Sequence, residues 1–206
     1  MSIDKSAIIL AGGKGSRLGY VDKAFLEYKG RFFIDILIEK LSDFKEVIVV
    51  TNSPEKYTKY VEDYKYSNSI KIVTDKIKDI GPIGGIYTGL LTSKSNENFI
   101  ISCDTPFISE DFIKYMKELS GDYLIAVPVY ETNMEPLCAI YKKDIIKNIE
   151  KSIEEKKYRV NSIFDKSYIK WIELENFLDR EMIIKRFYNV NTEHELKGVN
   201  EIGKDK

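Results

Sequence analysis

The chain has 206 residues with 32 basic and 33 acidic side chains, a net charge of −1. A chain of that size suits one domain that buries roughly 70% of the surface its unfolded form exposes, and its balanced charge offers no global field to nucleic acid or an anionic membrane. No apolar run approaches the roughly 20 residues of a membrane span, and MSIDKSAIILAGG lacks the basic start and cleavage site of a signal peptide, so a cytoplasmic protein with no membrane and no nucleic-acid partner is expected.

Taken in chain order, Ala7 to Leu10 reads as a buried strand, and Phe32 to Leu41 repeats apolar residues at helical spacing. Val47 to Thr51 is a second β-branched run. Ser53-Pro54-Glu55 then supplies a capping Ser and a Pro at the first helical position, opening a helix from Pro54 to about Tyr64. Ile70 to Thr74 makes a third strand, Gly81 to Gly85 leads into a helix over Ile86 to Thr92, and Phe99 to Cys103 is a fourth strand ending at Asp104. Ser109 to Leu119 has a capping Ser, acidic residues in its first turn, and apolar positions at Phe112, Ile113, Met116 and Leu119, the signature of an amphipathic helix.

This alternation predicts an α/β fold: three layers around a mostly parallel sheet of Rossmann-like topology. After Asp122 to Val129, the run Glu135 to Tyr141 follows without a clear helix between, so an antiparallel excursion is expected in the C-terminal half. Glu150 to Lys157 reads as a solvated helix face. Residues 1–200 are expected to form a single domain, and 201–206 to fray.

In an open parallel sheet, ligands bind at the carboxyl ends of the strands. After the first strand comes Gly12-Gly-Lys-Gly-Ser-Arg-Leu-Gly19; after the second, Asn52; after the third, Asp75 and Gly81 to Gly85; after the fourth, Asp104. The first loop fails the P-loop pattern because Gly15, not Ser or Thr, follows Gly13-Lys14. It fails the dinucleotide pattern because Leu18 stands where the third glycine belongs. What remains is a loop whose backbone amides can approach a polyphosphate, with Lys14, Arg17 and Lys23 to neutralise it. Asp104 opposite such a loop would repel its ligand unless a hard cation such as Mg2+ lay between. The single histidine, His194, sits in the polar run Asn191 to Leu196, and Cys103 and Cys138 fall in separate strand-like runs as expected buried thiols. A zinc site of the usual type and a Ser-His-Asp triad are therefore poor readings.

Together these residues resemble the molybdenum cofactor guanylyltransferase family, Rossmann-like nucleotidyltransferases. The resemblance spans Leu10 to Gly19 with Asp22-Lys23, Gly81-Pro-Ile-Gly-Gly85, Cys103-Asp-Thr-Pro-Phe107, Glu135-Pro-Leu-Cys-Ala-Ile-Tyr141, Tyr158-Arg-Val160 and Asn189-Val-Asn-Thr192. It implies transfer of GMP from GTP to the terminal phosphate of molybdopterin with release of pyrophosphate, Mg2+ as cofactor, and transient contact with other molybdenum cofactor biosynthesis proteins and with recipient enzymes. By the same resemblance Leu10, Ala11 and Gly12, with the adjoining Gly13 and Lys14, would hold the nucleotide together with Lys23, Asn52 and Asp75. Asp104 would bind Mg2+ and GTP, and Asn189 and Asn191 would lie towards the pterin. Lys23, Asp104 and Arg17 are the candidate catalytic residues. Departures are modest: Leu18 stands where methionine is common, and the bulky Tyr20 follows Gly19.

The residues alone leave the base and the acceptor open. A molybdopterin cytidylyltransferase, a sugar-phosphate nucleotidyltransferase and a GTP-binding adaptor without turnover stay as alternatives.

Overall fold

The computed structural model describes residues 4–12, 22–57, 70–164, 168–177 and 180–187. Ser6–Leu10 (β1) and Val47–Thr51 (β4) are buried at every position. Strands apolar on both faces have to be covered on both faces, and the alternation of side chains along β1 sends Ala7 and Ile9 to one layer and Ile8 and Leu10 to the other.

The first layer holds Phe33–Lys40 (α1), Glu110–Glu118 (α3) and Arg180–Arg186 (α5), whose Ile34, Leu37, Ile38, Phe112, Met116 and Ile183 pack against Ala7, Ile9, Val49 and Ile101. The second holds Pro82–Thr92 (α2) and Ile146–Glu154 (α4), which bury Ile83, Ile86, Leu90 and Ile149 against Ile8, Leu10, Ile48 and Val50. Three layers result, as the strand–helix alternation predicts.

The sheet is completed by Ile70–Thr74 (β5), Glu97–Ser102 (β6), Ile125–Tyr130 (β7), Asn133–Met134 (β8), Cys138–Lys142 (β9) and Ile169–Glu173 (β10). Its order among the described residues is β10-β7-β9-β6-β1-β4-β5, with β8 paired to β7. β1, β4, β5 and β6 run parallel, whereas β9 is antiparallel to both β6 and β7, which is the expected excursion. Because β4 and β5 lie to one side of β1 and β6 to the other, the strand order reverses at β1, and a crevice opens there at the carboxyl edge. A separate hairpin, Glu27–Tyr28 (β2) with Arg31–Phe32 (β3), precedes α1. No helix of the described residues is long and apolar enough to cross a membrane.

Several element boundaries differ from the sequence reading. α2 begins at Pro82 rather than Ile86. Gly81, at φ 74°, takes the N-cap, and Pro82 occupies the first helical position, where its fixed φ and missing N–H cost nothing. The glycines read as loop lie inside the helix because of a close approach: a Cβ on Gly84 would stand 2.5 Å from the Ile77 carbonyl oxygen. β6 stops at Ser102, so Cys103 and Asp104 form the following turn. Both cysteines are free and buried, and burial pushes both thiols well above their ordinary pKa. Helical backbone does begin at residue 54, but 58–69 lie outside the described residues, as do His194 and the tail 201–206.

Candidate active site

The strand ends at the crevice converge on one cavity of about 360 Å3. Leu10 ends β1 and Gly12 follows it, Val50 and Asn52 lie at the end of β4, Asp75 follows β5, and Ser102 and Asp104 close β6; Asp79, then Gly81, Pro82 and Gly85 of the α2 entrance, and Leu137 before β9 complete the wall. A larger groove of about 860 Å3 between α1 and α3 is lined by residues such as Glu39, Lys40, Lys114 and Glu118. It collects none of the strand-end residues.

Lys23 reaches across to Asp104, Nζ to Oδ2 at 2.8 Å, with side chains only 18% and 14% exposed. The local sequence explains how the lysine is held. Asp22 caps the short 3-10 turn Lys23–Phe25, accepting from the Ala24 amide at 3.2 Å. The fully buried Tyr57 hydroxyl lies 2.8 Å from both Asp22 carboxylate oxygens. Burial first, and the Asp22 charge second, push the Tyr57 phenol well above its ordinary pKa, so it stays a donor. The chain from Tyr57 through Asp22 thus fixes the turn that delivers Lys23.

Asn52 donates from Nδ2 to the Gly12 carbonyl at 3.1 Å, tying the end of β4 to the exit of β1. Asp75 accepts at Oδ1 from the Thr88 hydroxyl at 3.0 Å and from the Ile77 amide at 3.1 Å. Leu10, Gly12, Asn52, Asp75 and Asp104 are therefore brought to one cavity, with Lys23 on its Asp104 side. Ala11 is buried in the α1-side core and is not part of the cavity lining, although its carbonyl lies 3.4 Å from the Tyr57 hydroxyl. Gly13, Lys14, Arg17, Leu18, Tyr20, Asn189 and Asn191 lie outside the described residues.

The profile of the MobA-like NTP transferase domain matches residues 7–169. The chain belongs to this family. The "Probable molybdenum cofactor guanylyltransferase" of Clostridium perfringens strain SM101 is 36% identical over 195 residues, 94% of either chain. The protein of the same name from Natranaerobius thermophilus is 36% identical over 204 residues, 96% of this chain and 95% of that one. Molybdopterin-guanine dinucleotide biosynthesis protein A of Archaeoglobus fulgidus shares the fold, with a TM-score of 0.78 at 21% identity over 98% of this chain and 100% of that one. As a MobA-like NTP transferase the protein is a nucleotidyltransferase, and the crevice at β1 is where such an enzyme would seat its nucleotide.

One site residue escaped the sequence reading. Glu135 belongs to a block that reads as a strand and carries the family resemblance but gives this residue no role, yet its pKa is pushed up to about 7, by burial first and by the neighbouring Asp104 charge second. Antiparallel pairing brings it there: β9 runs against β6 with Cys138 opposite Ile101, and the Ser102 amide donates to the Leu137 carbonyl at 2.9 Å. A glutamate just ahead of a strand antiparallel to β6 has to arrive near Asp104, a signal that needs the pairing partner to be known.

Asp104 suits Mg2+ as a hard oxygen donor. Among the described residues no group of three or more His, Cys, Asp or Glu could hold a metal alone. Mg2+ does not need one, since it commonly takes one or two carboxylates and completes its shell with phosphate oxygens and water.

Proposed function

We propose that this nucleotidyltransferase moves GMP from GTP to the terminal phosphate of molybdopterin, forming molybdopterin guanine dinucleotide and pyrophosphate. The observation that carries the reading is the Lys23–Asp104 pair at the strand-order reversal, on a cavity shared with Asp75 and Asn52. The relatives' names suggest the acceptor.

A phosphate acceptor is already an anionic nucleophile, so no general base is needed and the absence of a histidine among the described residues costs nothing. Its oxygen bonds to the α-phosphorus as the bridge to the β-phosphate breaks, and the electron pair of that bridge leaves on pyrophosphate. The difficulty is charge: two anions at about 4 Å repel by about 4 kcal/mol at an effective dielectric near 20. Lys23 would stabilise the α-phosphoryl oxygens, and Lys14 and Arg17 the departing pyrophosphate. Mg2+ held by Asp104 would supply Lewis-acid neutralisation of the polyphosphate. With the cation on Asp104, Lys23 would be released to face the nucleotide.

Calorimetric titration with GTP, CTP, ATP and UTP in the presence of Mg2+ tests the base, and pyrophosphate release with molybdopterin tests the acceptor. The expected result is GTP binding and release well above blank. Tight CTP binding without GTP binding would sink the guanylyl reading.

A further inference from the structure

The Thr88 side chain is 1% exposed on α2 and touches none of the residues assigned to chemistry except one. Its hydroxyl donates to Asp75 Oδ1 at 3.0 Å and accepts the Lys76 amide at 2.9 Å, while the Ile77 amide donates to the same Oδ1 at 3.1 Å. Oδ1 thus receives two donors, a full complement for its lone pairs. Oδ2 receives none among the described residues. A Cβ on Gly84 would lie 3.1 Å from Oδ2 and one on Gly85 4.0 Å, so the paired glycines leave this oxygen uncovered by side chains on the helix side. Asp75 and Gly85 share the cavity wall.

We infer that Thr88 is a positioning residue for base selectivity: by holding Oδ1 it turns Asp75 so that Oδ2 meets the two adjacent N–H donors of guanine, at N1 and the 2-amino group. The inference rests on the GTP reading above. A carboxylate oxygen with both lone pairs open fits two donors side by side, and guanine alone among the common bases offers that edge. Adenine and cytosine place a ring-nitrogen lone pair beside their amino group, and uracil flanks its N–H with carbonyls, so each would set a lone pair against the carboxylate. A carboxylate free to rotate about its last torsion would meet these edges less selectively, because terminal sp2 groups have broad torsional wells. The Thr88 hydroxyl and the Ile77 amide together remove that freedom.

The test uses the Mg2+-supplemented full chain and compares binding of GTP with ITP, which lacks only the 2-amino group, in the wild type, Thr88→Val and Thr88→Ser. Wild type is expected to prefer GTP by tenfold or more, on the order of one charge-assisted hydrogen bond. Thr88→Val should bring the two nucleotides to within about threefold by weakening GTP, which uses both donors, more than ITP, which keeps one, and Thr88→Ser, which keeps the hydroxyl, should retain the preference. Val is close to isosteric with Thr, and thermal melts of both variants register any loss of fold. If Thr88→Val weakens GTP and ITP equally, or leaves their ratio unchanged, the positioning role is overturned while the guanine reading stands. A wild type that binds GTP and ITP alike overturns this inference and leaves the GTP reading standing, whereas one that prefers CTP overturns both.

Discussion

Glu135 offers the sharpest test of the electrostatics around the site. Its backbone is fixed, the amide donating to the Pro128 carbonyl at 2.9 Å and the carbonyl accepting from the Cys138 amide at 3.0 Å. Its carboxyl, ordinarily near 4.5, is raised to about 7 by burial and by Asp104. A carboxyl raised in the folded state holds its proton more tightly there than in the unfolded chain. Its contribution is thus fully present below about pH 4.5 and is lost as pH climbs through about 7. At 1.36 kcal/mol per pH step, the difference corresponds to a loss of at most about 3 kcal/mol. Glu135→Gln keeps the shape and removes the ionisation. In chelator-treated, nucleotide-free protein, urea unfolding should find variant and wild type within about 0.5 kcal/mol at pH 4.5 and the variant more stable by about 2–3 kcal/mol at pH 8. Titrating groups that are not coupled to Glu135 cancel in that comparison. A gap that does not widen with pH, or that opens towards acid, refutes the reasoning. Adding Mg2+ with GTP should narrow the gap at pH 8, because a cation near Asp104 offsets the charge that penalises Glu135.

Three further substitutions probe separate links. Asp104→Asn should fold normally and lose activity by about 100-fold or more, the scale of one removed electrostatic stabiliser; an active variant with unchanged Mg2+ dependence refutes its metal role. Gly84→Ala forces a Cβ to within 2.5 Å of the Ile77 carbonyl and 3.1 Å of Asp75 Oδ2. It should cost about 1–3 kcal/mol of stability and weaken nucleotide binding together, as overpacking does, and a calorimetric titration showing full affinity refutes the close approach. At the other end of β1, the fully buried Lys5 donates to the Lys117 and Leu119 carbonyls at 2.8 and 2.7 Å and pairs with Glu97 at 3.0 Å. Lys5→Met should cost about 1–3 kcal/mol by removing the buried hydrogen bonds to the two carbonyls, since Lys142 and the Tyr123 hydroxyl still meet Glu97, yet leave GTP affinity of the folded protein unchanged; a loss under about 0.5 kcal/mol refutes that account.

What the sequence discloses and what it hides follows from the range of the interactions involved. β1, β4 and β5 are visible because burial on both faces demands unbroken apolar runs, and Asn52, Asp75 and Asp104 follow as the polar residues just past three strand ends. Lys23 is visible as a residue type, but its seat on Asp104 is not, since it depends on Tyr57 gripping Asp22 from 35 residues away. The start of α2 is hidden from the sequence because Gly84 and Gly85 are poor helix formers by local propensity; what keeps them glycine is the Asp75 loop and Leu10 pressing on the helix, a tertiary demand that overrides propensity. Thr88 looks like any buried helix residue until its hydroxyl is seen on Asp75. Glu135 needs the β9–β6 register before its carboxyl acquires a neighbour. The residues with readable roles are those that a strand delivers to the crevice directly. Those that aim, charge or crowd them act through a second element, and only the packing of that element brings them to the site.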